Sequence, residues 1–132
     1  MRIVLADDDA RMRETLRSLL AEHPDIEVVG DAADGWAAIE CARDSEPAIV
    51  LMDVMMAGMG GIEATRRLHA ALPSVQVIGM SLHDDRHFVA AMRTAGAAGY
   101  LLKDRIHEEL ATALRVVAAG GNWWRAGGRG SG

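Results

Sequence analysis

Short apolar runs recur along the chain, and polar residues or segments of a different periodicity separate them. The runs are nearly continuous and rich in β-branched residues, which is typical of strands that are buried on both faces. We predict strands at residues 3–6, 28–29, 48–52, 75–80 and 100–102. Strands of this kind favour a parallel sheet.

The segments between these runs have apolar positions at helical spacing. Met12, Leu16, Leu19 and Leu20 lie on one face of a helix, and Ile106, Leu110 and Leu114 repeat every four residues. Further helices are predicted at 34–44, 62–72 and 84–95. The pattern therefore predicts five βα units.

Strict alternation of strands and helices predicts an α/β fold with one open parallel sheet. Helices should cover both faces of this sheet through right-handed crossovers. In such folds, ligands bind beyond the carboxyl ends of the strands, at the point where the strand order reverses. The residues that end the strands are therefore the first candidates for a functional site.

Acidic residues follow two of the predicted strands. Asp7, Asp8 and Asp9 come directly after the first strand, and Asp53 comes after the third. Clustered carboxylate oxygens suit a hard divalent cation such as Mg²⁺, together with a phosphate oxygen. A single aspartate at such a position is often only a helix N-cap, and this interpretation fits Asp9, which begins the first helix.

A hydroxyl and an amine follow the other strands. Ser81 ends the fourth predicted strand and Lys103 follows the fifth. N-capping does not explain why acids, a hydroxyl and an amine should all fall at strand ends. Together they indicate a site for a metal ion or a phosphoryl group.

Length, composition and charge narrow the possible functions. The 132 residues suit one domain, and half of them are hydrophobic. With 14 basic and 19 acidic residues, the net charge of -5 disfavours binding to nucleic acid or to an anionic membrane. We predict no transmembrane helix and no secretory signal, and expect a cytoplasmic protein. The lone Cys41 is predicted to be a buried structural residue.

The ordered set of site residues resembles the receiver domain of two-component response regulators over about residues 1–120. The strings at 62–67 (IEATRR) and 99–103 (GYLLK) are most similar to the NarL/FixJ class, in which a LuxR-type helix-turn-helix domain usually follows the receiver. The resemblance implies a flavodoxin-like (βα)5 fold with strand order 2-1-3-4-5.

The resemblance also implies a role for each site residue. Asp53 in Leu51-Met52-Asp53-Val54 would be the phosphoacceptor, with Lys103 and Ser81 contacting the phosphoryl oxygens. Mg²⁺, or Mn²⁺ in its place, would be held by Asp8, Asp53 and the backbone carbonyl of Met55, with Asp7 assisting. Ser81 and Tyr100 would form the switch, in which Tyr100 turns inward when the Ser81 loop moves. No other cofactor is expected.

Two regions differ from the family pattern or lie outside it. The loop after Asp53 has Met56-Ala57 where the family often has Met-Pro, and Gly60-Gly61 where it often has Asp-Gly or Asn-Gly, so we expect a more mobile loop. Residues 121–132 are rich in glycine and arginine, which predicts a flexible linker or a cloning remnant. No output domain is expected within these 132 residues.

The predicted function is a phosphorylation-dependent switch, not an enzyme. Its partners would be a sensor histidine kinase, a second receiver in a homodimer and, in a full-length protein, a tethered LuxR-type DNA-binding domain that regulates transcription. The chain itself should bind neither DNA nor membranes. The alternative is a stand-alone receiver that acts through protein–protein contacts.

Two rival classes fit the sequence less well. An aspartyl phosphatase of the haloacid-dehalogenase type needs a second acid two positions after its nucleophile, where this chain has Met55. A cofactor-binding flavodoxin-like module needs a phosphate-cradling glycine-rich loop, and none follows the first strand.

Overall fold

The computed structural model describes residues 1–124, which form one parallel sheet covered by helices on both faces. The strands are β1 (Arg2–Ala6), β2 (Glu27–Ala32), β3 (Ile49–Asp53), β4 (Gln76–Ser81), β5 (Gly99–Leu102) and β6 (Trp123–Trp124). The helices are α1 (Ala10–Leu20), α2 (Gly35–Ser45), α3 (Gly61–Ala71), α4 (Arg86–Ala95) and α5 (Ile106–Ala118), with a 3₁₀ turn at Lys103–Arg105. The five predicted βα units and the flavodoxin-like architecture are confirmed, and the full strand order is 2-1-3-4-5-6.

The central strands are apolar on both faces because helices cover both. All five residues of β3 are buried. Alternate residues of β1 and β3 enter two separate cores, since successive side chains of a strand point to opposite faces. Val4 and Val50 join the core that α2 helps to form, whereas Leu5 and Leu51 pack with residues of α1 and α5.

The edge strand β2 is longer than its two apolar residues predicted. Among the described residues it pairs only with β1, and it retains half-exposed or exposed residues, among them Gly30 and Asp31. Because an edge strand is not enclosed on all sides, its polar residues do not interrupt pairing. Apolar runs alone therefore underestimate its length.

Aspartate side chains cap three of the helices. Asp9 accepts a hydrogen bond from the backbone N–H of Arg11 (3.0 Å), and Asp34 caps α2 in the same way through Ala37 (2.8 Å). Asp85 accepts hydrogen bonds from the first turn of α4. The N-cap interpretation of Asp9 is confirmed, so Asp9 differs in role from the aspartates before it.

A sixth strand, which the sequence did not predict, lies at the edge of the sheet beside β5. Tyr100 is opposite Trp124 in this parallel pair, and a Cβ at Gly99 would lie 2.9 Å from the carbonyl oxygen of Trp123. Trp124 is buried, and the guanidinium of Arg93 lies 4.4 Å from its ring centroid. The linker expected from residue 121 thus includes a strand, and its remainder, 125–132, lies outside the described residues.

No helix within residues 1–124 is both long enough and apolar enough to cross a membrane.

Candidate functional site

The strand ends bring the predicted chemical groups to one edge of the sheet. Asp53 is the last residue of β3 and Ser81 the last of β4. Asp7 directly follows β1, and Lys103 directly follows β5. Because these four strands are parallel neighbours, residues far apart in sequence lie side by side at their carboxyl ends.

Three carboxylates form a compact cluster at this edge. Asp7, Asp8 and Asp53 each offer an oxygen, and these oxygens lie within 4.8 Å of one another. Asp7 is fully buried, Asp53 is nearly so, and Asp8 is exposed. The Oδ1 atom of Asp7 accepts a hydrogen bond from the backbone N–H of Asp9 (2.9 Å). The cluster is therefore buried at Asp7 and Asp53 and open to solvent at Asp8.

Lys103 links two of these carboxylates. Its Nζ lies 2.8 Å from Oδ2 of Asp7 and 3.4 Å from Oδ2 of Asp53. Burial by itself would lower the pKa of Lys103, but the bond to Asp7 and the charge of Asp53 outweigh it, so that pKa is raised. Lys103 is therefore a fixed positive charge beside the Asp53 carboxylate.

The electrostatics of Asp53 fit a divalent cation. Burial and the neighbouring charge of Asp7 raise the pKa of Asp53 to about 6, although Lys103 acts in the opposite direction. One ammonium thus contacts two of the three carboxylates, which leaves negative charge uncompensated. Hard oxygen donors with excess negative charge are the donor set that Mg²⁺ or Mn²⁺ takes, so the residues present fit such an ion.

The hydroxyl of Ser81 is part of a hydrogen-bonded chain. It accepts a hydrogen bond from the hydroxyl of Tyr100 (2.7 Å) and donates one to the backbone carbonyl of His83 (2.6 Å). Tyr100 is fully buried, so its ring occupies the inward position that the sequence resemblance associates with the switched state. To donate to a phosphoryl oxygen, Ser81 would have to release the carbonyl of His83.

The loop after Asp53 is held close to the strand end. The N–H of Met55 donates to Oδ1 of Asp53 (3.3 Å), and the N–H of Gly61 donates to the carbonyl of Val54 (3.0 Å). A Cβ at Gly61 would lie 2.1 Å from the carbonyl oxygen of Asp53, so only glycine fits there. Gly61 thus permits a close backbone approach, whereas the sequence suggested only extra loop freedom.

The sequence did not predict one contact of the acidic segment, residues 7–9. Arg13 of α1 donates a hydrogen bond to the backbone carbonyl of Asp7, and its Nε lies 3.4 Å from Oδ2 of Asp31 on β2. Arg13 lies on a helix whose other charged residues are largely exposed, so its side chain had no sequence signal that distinguishes it from a surface arginine. Only the packing of α1 against β2 brings these groups together.

Comparison with known proteins agrees with this arrangement. Residues 3–115 match the family model described as the response regulator receiver domain. The chain is similar to the transcriptional regulatory protein DegU of Brevibacillus brevis, with 41% identity over 121 residues, which are 92% of this chain and 51% of DegU. It is 38% identical to the response regulator GacA of Pseudomonas protegens over 91% of this chain and 56% of GacA.

A solved structure extends the comparison to three dimensions. A LuxR-family two-component response regulator from Aurantimonas sp. SI85-9A1 superposes with a TM-score of 0.88 at 35% identity, covering 92% of this chain and 87% of that one. The chain spans about half the length of the curated relatives named above. With the acidic strand ends and the matched family model, the chain belongs to the receiver domains of two-component response regulators, in the NarL/FixJ class.

Proposed function

We propose that this domain is a phosphorylation switch in which Asp53 accepts a phosphoryl group from a sensor histidine kinase. The observation that carries the proposal is the position of the Asp53 carboxylate. It ends β3 beside the buried carboxylate of Asp7 and 3.4 Å from the ammonium of Lys103, with Asp8 at the open side. A carboxylate in this setting is a nucleophile with a positive charge already in place for the group that it receives.

In the proposed transfer, one carboxylate oxygen of Asp53 attacks the phosphorus atom. A new P–O bond forms as the bond between phosphorus and the donor nitrogen of a phosphohistidine breaks, and the electron pair leaves with that nitrogen. Lys103 balances the charge of the phosphoryl oxygens as they come within its reach. A divalent cation held by Asp8, Asp53, the Met55 carbonyl and Asp7 would neutralise charge on the transferring group.

The proposed response to phosphorylation uses Ser81 and Tyr100. A phosphoryl oxygen is a stronger acceptor than the carbonyl of His83, so the Ser81 hydroxyl would exchange one for the other. The Tyr100 hydroxyl is hydrogen-bonded to Ser81 and would follow any displacement of it. The new charge-assisted bonds would thereby alter the surface formed by α4 and β5.

The proposed output is control of a partner and not direct binding to DNA. The net charge of -5 disfavours direct DNA binding by this chain. We propose that the surface near Tyr100 contacts a second receiver or a tethered LuxR-type helix-turn-helix domain, through which transcription is regulated. The LuxR-family name of the Aurantimonas structure and the longer curated relatives support this proposal.

Intact-mass analysis after treatment with acetyl phosphate and Mg²⁺ tests the proposal. The chain should gain one phosphoryl group, and Asp53→Asn should gain none, because the nucleophilic oxygen has been replaced by an amide. Asp44→Asn is the matched control, since Asp44 is an exposed aspartate of α2 remote from the strand ends, and it should be labelled like the wild type. Undiminished labelling of Asp53→Asn would reject the proposed phosphoacceptor.

A further inference from the structure

A side chain of α1 is hydrogen-bonded to the backbone of the acidic segment after β1. Arg13 donates a hydrogen bond from Nη1 to the backbone carbonyl of Asp7. Its Nε lies 3.4 Å from the Asp31 carboxylate on β2, and the side chain is only 19% exposed. Arg13 therefore joins the acidic segment, the first helix and the neighbouring strand at one point.

The same stretch of β2 also accepts a hydrogen bond from the backbone N–H of Asp7. The N–H of Asp7 donates to the carbonyl of Ala32 (3.0 Å), the residue next to Asp31. Both backbone polar groups of Asp7 are thus fixed relative to β2. Because the Asp7 carbonyl and the Asp8 amide share one peptide plane, the bond from Arg13 also fixes the plane from which Asp8 extends.

We propose that Arg13 is a positioning residue for the cation site, in that it orients the peptide between Asp7 and Asp8 so that both carboxylates face Asp53. This role rests on the proposed function, because it concerns the same site. Arginine suits it since a planar guanidinium can meet a carbonyl and a carboxylate at once in a fixed geometry. A lysine would carry the same charge, but its ammonium lacks the planar fork that meets both groups in a fixed geometry.

Charge and positioning make opposite predictions for this residue. The guanidinium is positive, so its electrostatic effect on a nearby cation is repulsive, and its removal would tighten Mg²⁺ binding. Loss of positioning would instead weaken binding. The direction of the change therefore separates the proposed role from a simple charge effect.

Arg17 provides a matched control on the same helix. It lies one turn after Arg13 and its Nη2 is 3.5 Å from the same Asp31 oxygen. Among the contacts of the described residues, Arg13 alone of the two also bonds the Asp7 carbonyl. Replacing Arg17 removes equal charge and a contact to Asp31 while leaving the acidic segment bound.

Calorimetric Mg²⁺ titration of the wild type, Arg13→Met, Arg13→Lys and Arg17→Met tests the proposal, at a temperature where circular dichroism shows each variant folded. Asp8→Ala, which lacks a proposed ligand, gives the scale of a direct loss. Arg13→Met should bind Mg²⁺ about tenfold more weakly, as expected when a group that orients a metal ligand is removed. Arg13→Lys should resemble Arg13→Met, and Arg17→Met should remain close to the wild type.

A kinetic measurement provides the second readout. With acetyl phosphate as donor, Arg13→Met should need more Mg²⁺ for half-maximal phosphorylation of Asp53 but should approach the wild-type rate at saturating Mg²⁺. Should Arg13→Met not fold, Arg13→Lys supplies the test. It keeps the positive charge but loses the planar fork that meets a carbonyl and a carboxylate at once, so weaker Mg²⁺ binding by this variant would reflect lost positioning and not a change of charge.

The outcomes distinguish the two proposals. Unchanged or tighter Mg²⁺ binding by Arg13→Met would overturn the positioning role alone, as would an equal loss in Arg17→Met. A wild type that binds no Mg²⁺ would overturn the proposed cation site and with it the role of Arg13.

Discussion

Buried groups have opposite effects on stability in two regions of the sheet: the acidic end, where Asp7, Asp8 and Asp53 lie, and the β6 edge. At the acidic end, Asp7 and Asp53 are buried near each other, and Lys103 compensates only part of their charge. At the β6 edge, Trp124 is buried in the apolar core, with a cation over its ring. Buried like charges are unfavourable unless a ligand binds them, whereas a buried aromatic ring stabilises the fold directly. The first region is therefore arranged for binding and the second for stability.

A single strand connects these two regions. The hydroxyl of Tyr100 on β5 is hydrogen-bonded to Ser81 near the acidic end, and the Tyr100 backbone lies opposite Trp124 in the sheet. Tyr100 and Trp124 also belong to one apolar cluster. The position of the tyrosine ring therefore depends on contacts at both ends.

The largest expected effect is at the β6 edge. Trp124→Ala should lower the free energy of unfolding by about 3 kcal/mol, because it removes a large buried ring. Trp36→Ala is the matched control. Trp36 of α2 is 56% exposed and its ring contacts only the guanidinium of Arg67 on α3 among the described cation–ring pairs, so the loss of stability should be small.

Urea unfolding followed by circular dichroism measures both tryptophan variants. The fraction of Trp124→Ala that remains folded should still be phosphorylated at Asp53 by acetyl phosphate, because no group of the acidic end has changed. Equal losses of stability in the two variants would contradict the assignment of the β6 edge as a stabilising region.

A change of opposite sign is expected at the acidic end. In Mg²⁺-free buffer at pH 7, Asp53→Asn should raise the free energy of unfolding by about 1 to 3 kcal/mol, because it removes a buried charge close to Asp7. A carboxyl group with a raised pKa in the folded state destabilises that state as it ionises. The difference from the wild type should therefore be absent below pH 3.8, grow up to about pH 6 and then stay constant.

Urea unfolding at several pH values checks this sign. A less stable Asp53→Asn at pH 7 would show that the ion pair with Lys103 outweighs the repulsion from Asp7. The comparison between the acidic end and the β6 edge would then no longer hold.

The smallest expected effect is at an exposed ion pair, which has the reverse pH dependence. The hydrogen bonds from Arg115 lower the pKa of Asp25 to about 2. A carboxyl group with a lowered pKa stabilises the folded state above its ordinary pKa of 3.8, and this contribution is lost as the pH falls towards 2. Asp25→Asn should remove that acid-range loss and leave a flatter stability profile between pH 4 and 2.

Thermal unfolding across that pH range compares Asp25→Asn with the wild type. At neutral pH Asp25→Asn should be less stable than the wild type by the amount that the wild type loses in acid, and this difference should be small because exposed ion pairs contribute little. An unchanged acid slope in the variant would assign the pH dependence to other carboxylates.

Much of the fold could be predicted because local patterns and global packing agree. The runs at 48–52 and 75–80 match β3 and β4 closely, since both strands are enclosed and apolar over most of their length. The candidate site followed from the same pattern, because a residue at the end of a parallel strand lies at the same edge as its neighbours. β6 could not be predicted, since two tryptophans among glycines have no periodicity that distinguishes a strand from a tail.

The residue pattern was enough to predict the five βα units, the placement of Asp7, Asp53, Ser81 and Lys103 at strand ends, and the family that these residues indicate. The periodicity of apolar positions and the residue types at the ends of the apolar runs are sufficient for these features, because both can be read along the chain. Three contacts depend on tertiary packing: the pairing of Trp124 with Tyr100, the close approach of Gly61 to the Asp53 carbonyl, and the hydrogen bond from Arg13 to the Asp7 carbonyl. Each joins groups from separate elements, and such contacts exist only once those elements have packed together.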